Sequence, residues 1–282
     1  MKPLMRGLVI VVFLSSLMAA PAAAASPSSA EDMTNTAAGQ TAAVLAAQRL
    51  TAVGHPTLAS SLNVIREADG SVSTMPKGMT RNVGLRPNGT VGPWVVLDAA
   101  ATSQAAASLG GVQPMASQYW SQINNGCLSS SKTQGWMYSC WTLKKMMNDG
   151  YPSNDFFIVT FDGEAYGYAN GSGIGSSYVE VWKNSSSSAF TMVDWSIKQS
   201  YSQNCAAAQI GVSYVLSFTI NVTICENWTW YADPIHNNGT QWTQWTRGGY
   251  QIIGDGREAT LIQQVETAQN ASPIWNLAYD FV

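Results

Sequence analysis

The chain carries little charge. Lys, Arg, Asp and Glu make up 11% of its 282 residues, and the formal net charge is −3. No block of like charge occurs, so the sequence offers neither a basic footprint for nucleic acid nor an acidic interaction tail. Histidine is scarcer still, with His55 and His236 alone. A hydrolytic triad needs a nucleophile, a base and an orienting acid. His236 has Asp233 close in sequence, but no G-x-S-x-G marks a nucleophile elbow, so both histidines read as ordinary loop residues. H-E-x-x-H is absent and no cysteine pair has C-x-x-C spacing, which argues against zinc. Asp149, Asn154 and Asp155 cluster hard oxygens without the EF-hand order, and read as a polar turn. Gly171-Ser172-Gly173-Ile174-Gly175 lacks the lysine of a phosphate loop and reads as a turn as well. No metal and no cofactor is expected.

Long apolar runs are also missing. The longest, Leu8 to Met18, falls short of the ~20 residues a spanning helix needs. It follows Lys2 and Arg6 and precedes Ala23-Ala24-Ala25, the three-part pattern of a cleaved secretory signal covering residues 1–25. Its removal takes the formal charge from −3 to −5. The expectation is an exported, extracellular protein with no stable membrane span after cleavage.

Export makes the cysteines readable. Four of them, Cys127, Cys140, Cys205 and Cys225, imply two disulfides. From Ser217 to Ile224 apolar and polar residues alternate strictly, with Phe218, Ile220, Val222 and Ile224 on one face. Upstream, Ala206, Ala208, Ile210 and Val212 share one parity, and Cys205, Gln209 and Ser213 the other. A hairpin turning near Val215 sets Cys205 opposite Cys225 and Gln209 opposite Asn221. The turn-rich stretch Ser131 to Gly135 brings Cys127 to Cys140. The pairing expected is therefore 127–140 and 205–225.

Composition divides the remainder. Residues 26–113 form an Ala/Ser/Gly-rich leader expected to be partly disordered: Ser26 to Gln40 has almost no large apolar residue, Thr41 to Val53 and Ala99 to Leu109 suit helices, and Met75 to Val96 suits one short hairpin. Residues 114–282 hold ten of the eleven tryptophans, and strand-like runs recur there between turn signals. Phe156 to Phe161 reads as a strand covered on both faces, Ser177 to Lys183 alternates, and Trp275, Leu277, Tyr279 and Phe281 share a face. Trp141 to Met147 fits either a strand or a helix. The fold class is all-β, an antiparallel sandwich or jelly roll.

Three functions compete. The first is a non-enzymatic extracellular β module that binds a glycan, a surface or a protein. Its candidate surface is Trp242 and Trp245, set among Gln and Thr, together with Tyr178, Glu180 and Trp182 on one strand face, where rings can stack on sugars and the acid can take hydroxyls. The second is a secreted hydrolase. Glu180 suits a glycosidase if Glu164, Asp194, Glu258 or Glu266 faces it across a groove. In addition, the run Cys205 to Tyr214 resembles the segment bearing the catalytic glutamine of the secreted glutamic peptidases, which are also two-sheet β proteins, and Trp228 to Pro234 resembles the tryptophan-rich strand that follows there. The resemblance covers about thirty residues and implies Gln209 as the glutamine. The family's Asn-Ala-Glu-aromatic motif has no counterpart; Glu258 is the nearest substitute. The third is a structural envelope component. Seven Asn-x-Ser/Thr sites, at Asn88, Asn170, Asn184, Asn221, Asn227, Asn238 and Asn270, are glycan acceptors in a eukaryotic host.

Overall fold

The computed structural model describes residues 30–100, 118–168, 173–233, 239–246 and 256–281. The signal segment, the second expected helix beyond Ala100 and His236 lie outside these residues. What is described is an antiparallel two-sheet β structure. The first sheet runs, from edge to edge, β1 (Glu31–Asp32), β2 (Leu62–Arg66), β3 (Val72–Pro76), β6 (Tyr119–Ser131), β7 (Gly135–Met147), β8 (Asn154–Gly167), β14 (Gly256–Ala268) and β10 (Phe190–Ser196). The second runs β11 (Tyr201–Val212), β12 (Phe218–Asp233), β13 (Thr240–Thr246), β9 (Ser176–Lys183), β15 (Ile274–Phe281), β5 (Val91–Asp98) and β4 (Thr80–Leu85).

Alternation fixes what lies between the sheets. Phe157, Val159 and Phe161 of β8, Leu261 and Val265 of β14, Val179 and Val181 of β9, and Trp275 and Leu277 of β15 all point inward and are fully or almost fully buried. Trp275 donates its indole N–H to Gln263 Oε1 (2.8 Å), so this buried pair is satisfied. The run Trp141 to Met147 is strand, as the second half of β7, where Trp141 and Leu143 face the core.

Residues 30–98 fall within the Ala/Ser/Gly-rich stretch read as a leader. They supply β1 to β5 and one helix, α1 (Ala37–Ala52). β3 pairs with β6, and β5 pairs with β15, so this stretch borders both sheets. Strands with one face open to solvent need few large apolar residues, which is why composition hid them. Helix α1 is capped by Thr36, whose hydroxyl accepts from Gly39 N at 3.0 Å. Ala43, Ala46 and Ala47 pack with Leu62 and Val64, and Leu50 reaches the Cys127–Cys140 bridge beside Tyr138.

Both disulfides join directly opposed strand positions, each with Cα atoms 4.0 Å apart. Cys127 pairs with Cys140 in the β6–β7 register. In β11–β12 the register Ala206–Ile224 through Val212–Phe218 continues to Cys205 and Cys225, as strand parity required.

Candidate functional site

The hairpin of β11 and β12 divides at its disulfide. Below it, Asn227 to Asp233 of β12 pair with β13 inside the second sheet. At the junction the β11–β12 register shifts between Gln203 and Ala206, and Glu226 takes a left-handed φ of 57°. Above it, residues 206–212 and 218–224 pair only with each other among the described residues. This upper part is a two-stranded arm, clamped at its base by Cys205–Cys225.

The arm leaves the second sheet and crosses the outer face of the first. Ser213 N donates to Asp194 Oδ2 of β10 at 2.7 Å. Thr223 N donates to Glu258 Oε2 of β14 at 3.3 Å. Tyr214 meets Phe156 of β8, with ring centroids 6.3 Å apart. The Lys144 ammonium of β7 stands 4.8 Å from the Phe218 ring. Trp120 of β6 donates its indole N–H to Leu216 O at 3.1 Å. Asp194, Glu258, Phe156, Lys144 and Trp120 all have the outward parity of their strands, opposite to the core residues beside them.

The two faces of the arm differ completely. Ile210, Val212, Val222 and Ile224 are at most 5% exposed and belong to the main hydrophobic cluster, with Ile158 and Ile262 of the first sheet. Each such side chain contributes roughly 1.5–3 kcal/mol on burial. Gln209, Ser213, Thr219, Asn221 and Thr223 of the other face are exposed. From Cys205 to Cys225 there is no Asp, Glu, Lys or Arg. The surface beneath the arm is less uniform. Gln264 stands cross-strand from Asp194 and Ile158, is fully buried, and has neither amide atom hydrogen-bonded. Each such unpaired group costs about 1–3 kcal/mol.

Acidic residues gather on the same outer face, towards the base of the arm. Glu164 lies directly opposite Glu258 in the β8–β14 register. Tyr138 donates its hydroxyl to Glu164 Oε2 (2.6 Å), and Thr260 donates to Glu258 Oε1 (2.6 Å). Burial, aided by Glu258 and Glu164, pushes the Asp162 carboxyl up to about 7. Burial also raises Glu258. His55 and the bridged Cys127 and Cys140 come close together here, but sulfurs bonded to each other are not a ligand set for a metal. Asp155, of the expected polar turn, pairs with Lys145 at 3.0 Å and accepts from Asn270 N.

The opposite side of the molecule holds the candidate surface read from sequence, and divides it. Trp242 and Trp245 are three residues apart on one strand and so face opposite ways. Trp245 is wholly buried against the core, while Trp242 is half-buried outside, stacked on Tyr231 at 6.0 Å and 15°. Of the two, only Trp242 reaches the surface. Tyr178, Glu180 and Trp182 do share the outer face of β9, but Glu180 is fully buried. The tip of the β4–β5 hairpin folds over it, and Asn88 N donates to Glu180 Oε1 at 3.2 Å. Burial holds its carboxyl up at about 7 against the opposing pull of Arg86. Trp182 packs edge-on to Trp94 at 5.6 Å. Beside this pair lies a cleft of about 390 Å³ lined also by Asn82, Lys183, Asn184 and Asn276. Trp94, Asn82 and Asn276 were not singled out from sequence; the pairing of β5 with β15 that collects them is non-local.

The hydrolase geometries do not form among the described residues. Glu164 and Glu258 lie on the outer face of the first sheet, and Glu180 on the outer face of the second. Asp194 is held by Lys198 and the arm, and Glu266 stands opposite Phe156. Gln209 is exposed opposite Asn221, and no hydrogen bond joins it to Glu258.

No protein-family model matches the chain, and no curated protein matches it. Among solved structures, one described only as a pore forming protein aligns over 71% of this chain and 86% of its own, with 8% identity and a TM-score of 0.33. An alpha-xylosidase from Xanthomonas citri aligns over 77% of this chain and 31% of its own, with 11% identity and a TM-score of 0.09. Neither likeness is close enough to carry a fold or a function across.

Proposed function

We propose that this protein is exported and perforates membranes by releasing the β11–β12 arm into a lipid bilayer, several copies together closing a β-barrel. The observation that carries this reading is the arm itself: a hairpin with one wholly apolar face, one polar uncharged face, and, among the described residues, no sheet partner above its disulfide. A strand crossing a bilayer needs about 9–11 residues, alternating lipid-facing and lumen-facing side chains. Residues 205–214 and 216–225 meet that length and pattern. In place, the apolar face is satisfied by the first sheet; released, it has lipid as the equivalent solvent. A lone hairpin would present two unpaired edges to hydrocarbon, so insertion demands closure by further copies. The buried, unbonded Gln264 makes docking less favourable than an all-apolar seat and so eases departure.

The test is dye release from calcein-loaded phosphatidylcholine vesicles by the secreted full chain. The expected result is leakage rising more steeply than linearly with protein concentration. Ile220→Lys, on the apolar face, should stop it; Thr219→Lys, on the polar face, should not. No leakage between pH 5 and pH 8, or equal leakage by Ile220→Lys, would sink the reading.

A second reading is favoured by the cleft beside Trp94 and Trp182. Two indoles and three carboxamides are the chemistry that recognises sugar rings and their hydroxyls, so this face is proposed to contact a glycan, with Trp242 and Tyr231 as a neighbouring platform. A glycan array on the full chain tests it. Binding lost in both Trp94→Ala and Trp242→Ala is expected, and binding unchanged in both counts against it.

A further inference from the structure

A separate cavity opens where β5 parts from β15. Their pairing stops at Val95–Leu277; two residues on, Pro93 has no N–H to continue the ladder towards Tyr279. The β4–β5 hairpin peels away, and a space of about 260 Å³ is left between it and the β2–β3 hairpin of the other sheet. Its deep wall is aliphatic, with Met75, Val95, Leu128 and Leu277.

One cation on that wall stands out. Arg81 is paired with Glu67, and Lys132 with Asp280 and Phe281 O. Arg86 makes no direct ion pair among the described residues, although Asp280 and Glu180 are near enough to act on its charge. Arg86 is 3% exposed, its Nη2 donates to Pro93 O at 2.6 Å, and its Nε has no partner. No carboxylate lies within ion-pair distance of it among the described residues. The side chain lies across Gly92, where a Cβ would come within 2.3 Å of Nη2. The position of the guanidinium thus depends on a glycine, and it lines the cavity with its Nε unpartnered. A buried, unpaired guanidinium is costly, and an anion in the cavity would offset that cost.

The rim shows which kind of anion fits. Val83 and Val91 line the opening and are 53% and 73% exposed, and Leu85, cross-strand from Val91, is 71% exposed. A small polar ion would use neither the aliphatic wall nor this lip. We infer that the cavity binds a single-chain aliphatic carboxylate, its head on Arg86 and its chain leaving over Val83 and Val91. The site is independent of the arm.

The experiment is calorimetric titration of the secreted full chain, without vesicles, so that its outcome is separate from dye release. Sodium decanoate below its micelle concentration should bind saturably at one site, whereas decanol and acetate, which keep only tail or head, should not. Arg86→Gln should weaken decanoate by about tenfold or more, the range expected for a lost hydrogen-bonded charge. Val83→Trp, on the exposed lip and away from Arg86, should block entry and keeps the test open if Arg86→Gln fails to fold. Absence of saturation, or decanoate binding untouched by both substitutions, would overturn the site. Tighter binding of decyl phosphate than of decanoate would overturn the carboxylate in favour of a phosphate head.

Discussion

The two disulfide-stapled hairpins are built alike and placed oppositely. In β6–β7 the Cys127–Cys140 bridge sits within the first sheet, flanked by β3 and β8 and covered by Leu50 of α1. In β11–β12 the Cys205–Cys225 bridge marks where sheet pairing ends and the arm begins. The same covalent link holds one hairpin in place from both sides and forms the base from which the other leaves. What differs is the backbone hydrogen bonding next door: β7 has a partner strand on each side, and the arm, among the described residues, has none beyond itself.

The contrast is sharpest if the arm is stopped from moving. A short bismaleimide linker between cysteines placed at Thr223 and Glu258 should abolish vesicle leakage, while the same variant with its added thiols separately capped should retain it. Leakage from the linked form would mean the arm acts without undocking. Next in size is Ile220→Lys in its inserted state, where a lysine at mid-bilayer depth costs about 2–4 kcal/mol per copy. Removing the bridges should separate the hairpins further. Cys127→Ser with Cys140→Ser is expected to lower global stability by about 3 kcal/mol in denaturant. Cys205→Ser with Cys225→Ser should appear first as faster hydrogen exchange confined to residues 206–224, and equal global losses from the two pairs would break the comparison.

A smaller effect concerns pH. Asp162 and Glu180 are raised by burial from 3.8 and 4.5 to about 7. Acids raised by folding favour the protonated form, so their contribution is complete below about pH 4 and is lost as pH climbs through about 7. The melting temperature should therefore fall between those values, and Asp162→Asn should flatten the fall. A curve unchanged by Asp162→Asn would remove Asp162 as its source. Smallest of all, Asn221→Asp on the polar face should leave leakage intact and shift ion selectivity towards cations in planar bilayers; unchanged selectivity would argue against a lumen-facing Asn221.

Much of the arm was legible in sequence because its information is local. Period two from Ser217 to Ile224 set both faces, and the parity of Cys205 and Cys225 set the register. The same rule, applied to Trp242 and Trp245, already places them on opposite faces. What could not be read locally is what covers each face. Glu180 looks like an exposed acid between two aromatics until Asn88, far away in sequence, lies on it. Nor does alternation distinguish an arm docked on a sheet's outer surface from a strand inside the sandwich, because both bury one side. Strands β2 to β5 were hidden for the complementary reason: residues such as Thr80 to Leu85 bury too little to leave a pattern.

The placement of β15 has a further consequence, for assembly rather than activity. It lies between β9 and β5, and its register joins Ile274 to Asp98. Pairings of such long separation close late, because the loop entropy is spent before any contact repays it. Until β15 arrives, β5 and β9 are open edges in a chain of low charge. Folding of the second sheet should thus be slow and vulnerable to aggregation, with a higher refolding yield at low protein concentration.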